Sequence, residues 1–96
     1  MENASLRVKL ENVKKLIRRN ARGPMYKTLN KLHPADIAFI INHLQDIDRK
    51  RIWAFLNDRA KIGEILLAME DNDIVDRFHE MEPKIAGEVI MEMESD

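Results

Sequence analysis

The chain repeats itself, and that restricts its fold more than any other feature. Ile37-Ala38, Ile41 and Leu44 recur as Ile62-Gly63, Leu66 and Met69 at an offset of 25 residues. A third copy opens as Ile85-Ala86 with Val89, offset 23 from the second. Each copy sets a small residue (Ala38, Gly63, Ala86) directly after a β-branched one, which lets another helix approach closely at the same point of each unit. A unit this short, made of two helices, cannot bury its apolar face alone, so successive copies must stack into a solenoid-like array. The third copy is incomplete: the sequence given ends at Glu94-Ser95-Asp96, where a second helix is expected. Either Met91 and Met93 are then exposed, or the chain is a fragment of something longer.

Periodicity along the rest of the chain supports an all-α reading. Leu6, Leu10, Val13, Leu16 and Ile17 recur at steps of three and four, one face of a helix from about Ser5 to Asn20 with Ser5 placed to cap it. Ala21-Arg22-Gly23-Pro24 should end it, and Pro24 should open a second helix through Met25, Tyr26, Leu29 and Leu32. Pro34 and Asp36 start another, carrying Ile37, Ile40, Ile41 and Leu44. After a tight turn capped by Asp46 or Asp48 comes a helix with Ile52, Trp53, Phe55 and Leu56. The next holds Ile62, Ile65, Leu66 and Met69; another, capped near Asp71 or Asp73, holds Ile74, Val75, Phe78 and Met81. Pro83 opens the last, with Ile85, Ala86, Val89 and Met93 inward. No alternating segment is long enough for a strand. Seven short helices result, divided into a basic N-terminal helix over 1–23 and a helical repeat domain over 24–96.

Composition narrows the function classes. A length of 96 residues suits one modest core and leaves little room for an elaborated active site. No apolar run approaches the roughly 20 residues of a membrane-spanning helix, and Met1-Glu2-Asn3 lacks the start of a signal peptide, so a cytoplasmic location is expected. The absence of cysteine removes disulfides, thiolate metal sites and cysteine nucleophiles together. His33, His43 and His79 lie in separate segments without metal-ligand spacing, and there is no Gly-rich phosphate loop or nucleophile motif. Trp53 and Phe55 read as core, and Met69, Met81, Met91 and Met93 as gap-filling along a helix seam. A non-catalytic domain is the expectation.

The net charge of −1 conceals a split, because residues 1–31 carry +7 and residues 32–96 carry −8. Arg7, Lys14, Arg18 and Arg22 line one side of the first helix, extended by Lys15 and Arg19. Packing of this face against the acidic body, or ordinary solvation, is the expected fate. Contact of residues 1–23 with anionic lipid is the lesser alternative, and nucleic acid ranks lower still without interleaved aromatics.

Leu32-His33-Pro34-Ala35-Asp36-Ile37-Ala38, the hairpin pattern that follows, and Ile85-Ala86-Gly87-Glu88-Val89-Ile90-Met91-Glu92-Met93 together resemble the N-terminal cytosolic domain of MgtE-type magnesium transporters. The resemblance covers roughly residues 29–96. The middle domain of the flagellar switch protein FliG is similar in architecture, but Ala35-Asp36 fits the transporter pattern better. The resemblance implies a right-handed, armadillo-like superhelix of short helical hairpins in the cytoplasm. The parent protein would continue into a CBS-domain pair and a region in the inner or plasma membrane, and would be a homodimer. It also implies that intracellular Mg²⁺ drives docking of this domain on the CBS pair, with acidic residues sharing hydrated Mg²⁺ across the contact.

On that implication the candidate Mg²⁺ carboxylates are Asp71, Asp73, Asp76, Glu88, Glu92 and Glu94, each completed by a missing partner domain; Glu80 and Asp96 lie in the same acidic third. Mg²⁺ keeps much of its water and is held by few carboxylates, so it can screen two acidic faces from one another. Read from the residues alone, Asp71 and Asp73 serve as helix caps and the glutamates as a solvated face, and no ligand motif matches residue by residue. The other function class is a non-catalytic protein–protein interaction module of the same superhelical type, CBS-linked or flagellar-switch-like.

Overall fold

The computed structural model describes residues 2–95, and side chains from residue 5 onward. All regular structure in them is helical: α1 (Glu2–Arg19), α2 (Arg22–Lys31), α3 (Pro34–Asn42), α4 (Asp46–Ile52) continued by a 3-10 turn (Trp53–Phe55), α5 (Arg59–Leu67), α6 (Asp71–His79) and α7 (Pro83–Glu94). The expected sequence of helices is thus present, with local differences at their ends.

α1 begins at Glu2, so Ser5 lies inside the helix and does not cap it. It ends at Asn20, which takes the left-handed conformation (φ 51°). The Asn20 N–H donates to the Ile17 carbonyl and the Ala21 N–H to the Leu16 carbonyl, each at 3.1 Å, the paired bonds of a Schellman stop. Gly23, expected within the terminator, instead lies in the first turn of α2, where Pro24 stands as expected. Proline costs nothing there, since first-turn N–H groups have no intrahelical acceptor.

Pro34 and Pro83 open α3 and α7 as expected. Gln45 and Glu70 take the N-cap positions of α4 and α6, so Asp46, Asp48, Asp71 and Asp73 are first-turn residues rather than caps. They still favour the positive end of the helix dipole. The side chain that does cap is Asp58, whose carboxylate accepts from the N–H groups of Ala60 (3.0 Å) and Lys61 (3.3 Å) to start α5.

α1, α3, α5 and α7 form a row in which each touches the next; α4 packs on α1 and α3, α2 on α1 and the 3-10 turn, and α6 on α5. Leu10, Val13 and Ile17 of α1 share one core with Ile37, Ile40, Ile41, Ile52, Ile62, Ile65, Leu66 and Val89. Tyr26 closes it edge-on to Phe55 at a centroid distance of 5.9 Å. The Cα radius of gyration of 12.8 Å is that of a compact domain of this length.

The first intrahelical bonds fix the register of the copies. The N–H groups of Ile37, Ile62 and Ala86 donate to the carbonyls of His33, Asp58 and Glu82, which makes those three residues equivalent. The third copy therefore lies 24 residues from the second, one more than the Ile-Ala match suggests. Ile40, Ile65 and Val89 then coincide, all fully buried, and the small position is Ala38, Gly63 and Gly87. The close approach is real at Gly63, where an added Cβ would stand 2.9 Å from Met93 Cγ; Gly87 has open space instead. Met93 is half-buried, whereas Met91 is exposed and fills no seam, and Val75 of α6 points outward, against the expectation that it is core.

Candidate functional site

Two charged regions emerge, one internal and one facing solvent. The internal one joins the second helices of the two full hairpins. Arg49 of α4 donates from Nε to Glu80 Oε2 at 2.6 Å, from Nη1 to the Leu44 carbonyl at 2.9 Å, and from Nη2 to Asp46. Trp53 Nε1 reaches Glu80 Oε1 at 3.5 Å, and Arg77 Nη1 donates to Asn42 Oδ1 at 3.3 Å. Arg77 Nε is 3.3 Å from Glu80 Oε1, within ion-pair range but off the hydrogen-bonding direction, so this buried N–H has no hydrogen-bond acceptor among the described residues. Burial works to lower the Arg49 pKa, but the hydrogen bonds and negative charge of Glu80 and Asp46 outweigh it, and the guanidinium is held above its ordinary value. Arg49 is thus a permanent cation, and Glu80 is engaged on both oxygens. That commitment makes Glu80 a structural tie rather than a carboxylate open to a solvent cation.

The solvent-facing region is acidic. Asp71 and Asp73 stand in the first turn of α6, with Asp76 one turn further on. Glu88, Glu92 and Glu94 follow one another along α7. Asp71, Asp76, Glu92 and Glu94 are exposed and Asp73 is half-buried; none of the five makes a salt bridge to a described residue. Glu88 differs, since its Oε1 accepts from Arg59 Nε at 2.9 Å. Among the described residues no three His, Asp or Glu side chains come together as a metal-holding group. The candidates therefore form two short acidic rows, and Asp96 lies outside the described residues.

The basic first helix is partly answered by the body. Lys9 stands 4.0 Å from Asp36, and Arg18 is 3.5 Å from Asp48, which is itself buried in the first turn of α4. Of the basic face expected to meet the acidic body, Arg18 alone pairs with a described acidic residue there, while Lys14 pairs within α1 with Glu11. Among the described residues no helix is long and apolar enough to cross a membrane.

Sequence reasoning missed the Arg49–Glu80–Arg77 network. Its trace in the sequence is positional: aligned on the N-caps Gln45 and Glu70, Arg77 stands where the first hairpin has Ile52, and Glu80 where it has Phe55. Charged residues at two core positions of a repeat are the signal of a buried pair.

No curated protein and no solved structure matches the chain. The family model described as the MgtE intracellular N domain matches residues 32–96, from the last turn before α3 to the end of the sequence. That span exceeds half of the chain and contains both full hairpins and α7, so the chain belongs to the MgtE intracellular N domain family.

Proposed function

We propose that this domain is a non-catalytic regulatory element of a magnesium transporter or channel. It responds to cytoplasmic Mg²⁺ by docking on an adjacent CBS-domain pair, in a parent protein of the inner or plasma membrane that works as a homodimer. The observation that carries the reading is the family match over residues 32–96. The disposition of the carboxylates supports it. Asp71, Asp73, Asp76, Glu92 and Glu94 make no salt bridge to a described residue, while Arg49 and Arg77 are taken up by Glu80 and Arg59 by Glu88. Two rows of carboxylates that repel a second acidic surface when bare would accept one in the presence of a hydrated divalent ion. Coupling is reciprocal: the docked state binds Mg²⁺ better, and Mg²⁺ therefore favours docking.

The test is a Mg²⁺ titration of the chain joined to its CBS pair, followed by protease protection and small-angle scattering. Compaction and protection at millimolar Mg²⁺, weakened by combined Asp71→Asn, Asp76→Asn and Glu92→Gln, are the expected results. An assembly that stays equally extended and equally cleaved defeats the sensing role. For the domain alone, Mg²⁺ should produce no thermal shift beyond that of Na⁺ at equal ionic strength, since a few carboxylates on one surface hold this ion weakly.

A second reading, a protein–protein interaction module that senses no ion, draws on exposed apolar side chains beside the acidic rows, namely Val75 of α6 and Ile90 and Met91 of α7. Under it the same docked assembly forms without Mg²⁺ and is weakened by Ile90→Ser with Met91→Ser.

A further inference from the structure

A cleft of about 370 Å³ opens where the end of α1, the start of α2 and the end of α4 meet. Arg18, Arg22 and Arg51 line it together with Asn20, and its apolar lining is Ile17, Ala54 and Phe55, of which Ala54 is exposed and the other two are buried. Among the described residues no carboxylate lines it. Arg18 is held in part by the buried Asp48 carboxylate at 3.5 Å. Arg22 and Arg51, both exposed, make no salt bridge or side-chain hydrogen bond to a described residue, so two guanidinium groups face the cleft uncommitted. α2 adds to the same sign. Arg22 is its first residue, it has no acidic side chain in its first turn, and Ala21 gives it no side-chain cap.

We propose that this cleft binds a phosphate monoester, with the phosphate between Arg22 and Arg51 and the organic body over Ala54, the exposed apolar residue of the lining. Guanidinium forks match phosphate oxygens two at a time, and a terminal phosphate offers three oxygens to donors that exceed what one carboxylate accepts. The free N–H groups at the start of α2 favour an anion there as well. A nucleic-acid strand fits less well, because Phe55 is buried and offers no open face on which a base could stack. The proposal uses neither the acidic rows of α6 and α7 nor magnesium, so it stands or falls apart from the regulatory reading.

The test is a titration of the 96-residue chain with phenyl phosphate at constant ionic strength, read in ¹H–¹⁵N spectra. Saturable shifts confined to Arg22, Gly23, Arg51 and Ala54 are expected. Arg22→Gln with Arg51→Gln should weaken binding at least about tenfold, as the loss of charged hydrogen bonds implies, with each single variant intermediate and the far-UV circular dichroism unchanged. Co-sedimentation with phosphatidylcholine vesicles containing phosphatidic acid, lost in the double variant, would assign the phosphate to a lipid headgroup. Absence of sedimentation alongside saturable phenyl phosphate binding would assign it to a soluble ester. Shifts that grow linearly, spread over Arg7, Lys15 and Lys27, or persist in the double variant overturn the proposal, as does equal sedimentation with phosphatidylserine, whose phosphate is a diester.

Discussion

The two full hairpins share a backbone plan and differ in what they bury. In α3–α4 and its 3-10 turn the inner positions are Ile52, Trp53, Phe55 and Leu56, all buried. In α5–α6 the equivalent positions are Arg77, Phe78, Glu80 and Met81, and two of those four are charged. α4 is surrounded by α1 and α3, whereas α6 rests on α5. With less apolar surface available, the second hairpin is tied to the first by charge. Arg77 reaches Asn42 of α3, and Arg49 of α4 reaches Glu80. A repeat can therefore keep its helix register while exchanging an apolar contact for an ionic one, provided every charge finds a partner within the fold.

The largest effect should come from removing the shared carboxylate. Glu80→Ala leaves the buried Arg77 and the half-buried Arg49 without their common partner, and breaking a buried pair costs about 3–5 kcal/mol. Chemical denaturation would register it as a lowered midpoint, and a loss under 1 kcal/mol would mean that water already serves the two guanidinium groups. Apolar truncations should separate the hairpins next. Ile52→Ala removes a fully buried side chain and should cost about 2–5 kcal/mol. Ile74→Ala, half-buried in α6, should cost clearly less, and equal losses would show the two hairpins to be equally covered.

Making the second hairpin resemble the first is a more demanding test. Arg49→Met, Arg77→Met and Glu80→Leu together replace the network by apolar side chains of similar volume, and the outcome should be neutral or stabilising by about 1–4 kcal/mol. A large destabilisation would show that the charges hold α6 in a way that packing cannot reproduce. The smallest effects concern the equivalent glycines. Gly87→Ala, with open space around it, should stabilise α7 by about 0.5–1 kcal/mol through the lower helix propensity of glycine. Gly63→Ala should forfeit that gain, because Met93 must move away from the new Cβ. Melting temperatures of the two variants read the difference directly.

Much of the fold was legible in local chemistry. Pro34 and Pro83 mark helix starts because proline suits the first turn, and Ile37, Ile40, Ile41 and Leu44 mark an inner face because helical spacing puts them there. Asp58 was equally local and could have been read as a cap from its place before the period of Ile62 and Ile65. Less of the candidate site could be read. Acidic residues along α6 and α7 are visible as letters, but Glu80 and Glu88 are removed from the solvent-facing set by Arg49, Arg77 and Arg59, which lie 29 to 31 residues away or on the adjoining turn. No short-range rule reports such pairings.

The amino-acid order fixed an all-helical chain, its hairpin repeat and its division into a basic start and an acidic end, since propensity, capping and period act over a few residues. Folding in three dimensions set the remaining features: the one-residue shift of the third copy, the left-handed stop at Asn20, and the burial of Arg77 and Glu80 where the earlier copy has isoleucine and phenylalanine. It also turned Val75 and Met91 outward. Each of these depends on which helix lies against which, and a side chain's partners and its distance from water are properties of that packing rather than of its neighbours in the chain.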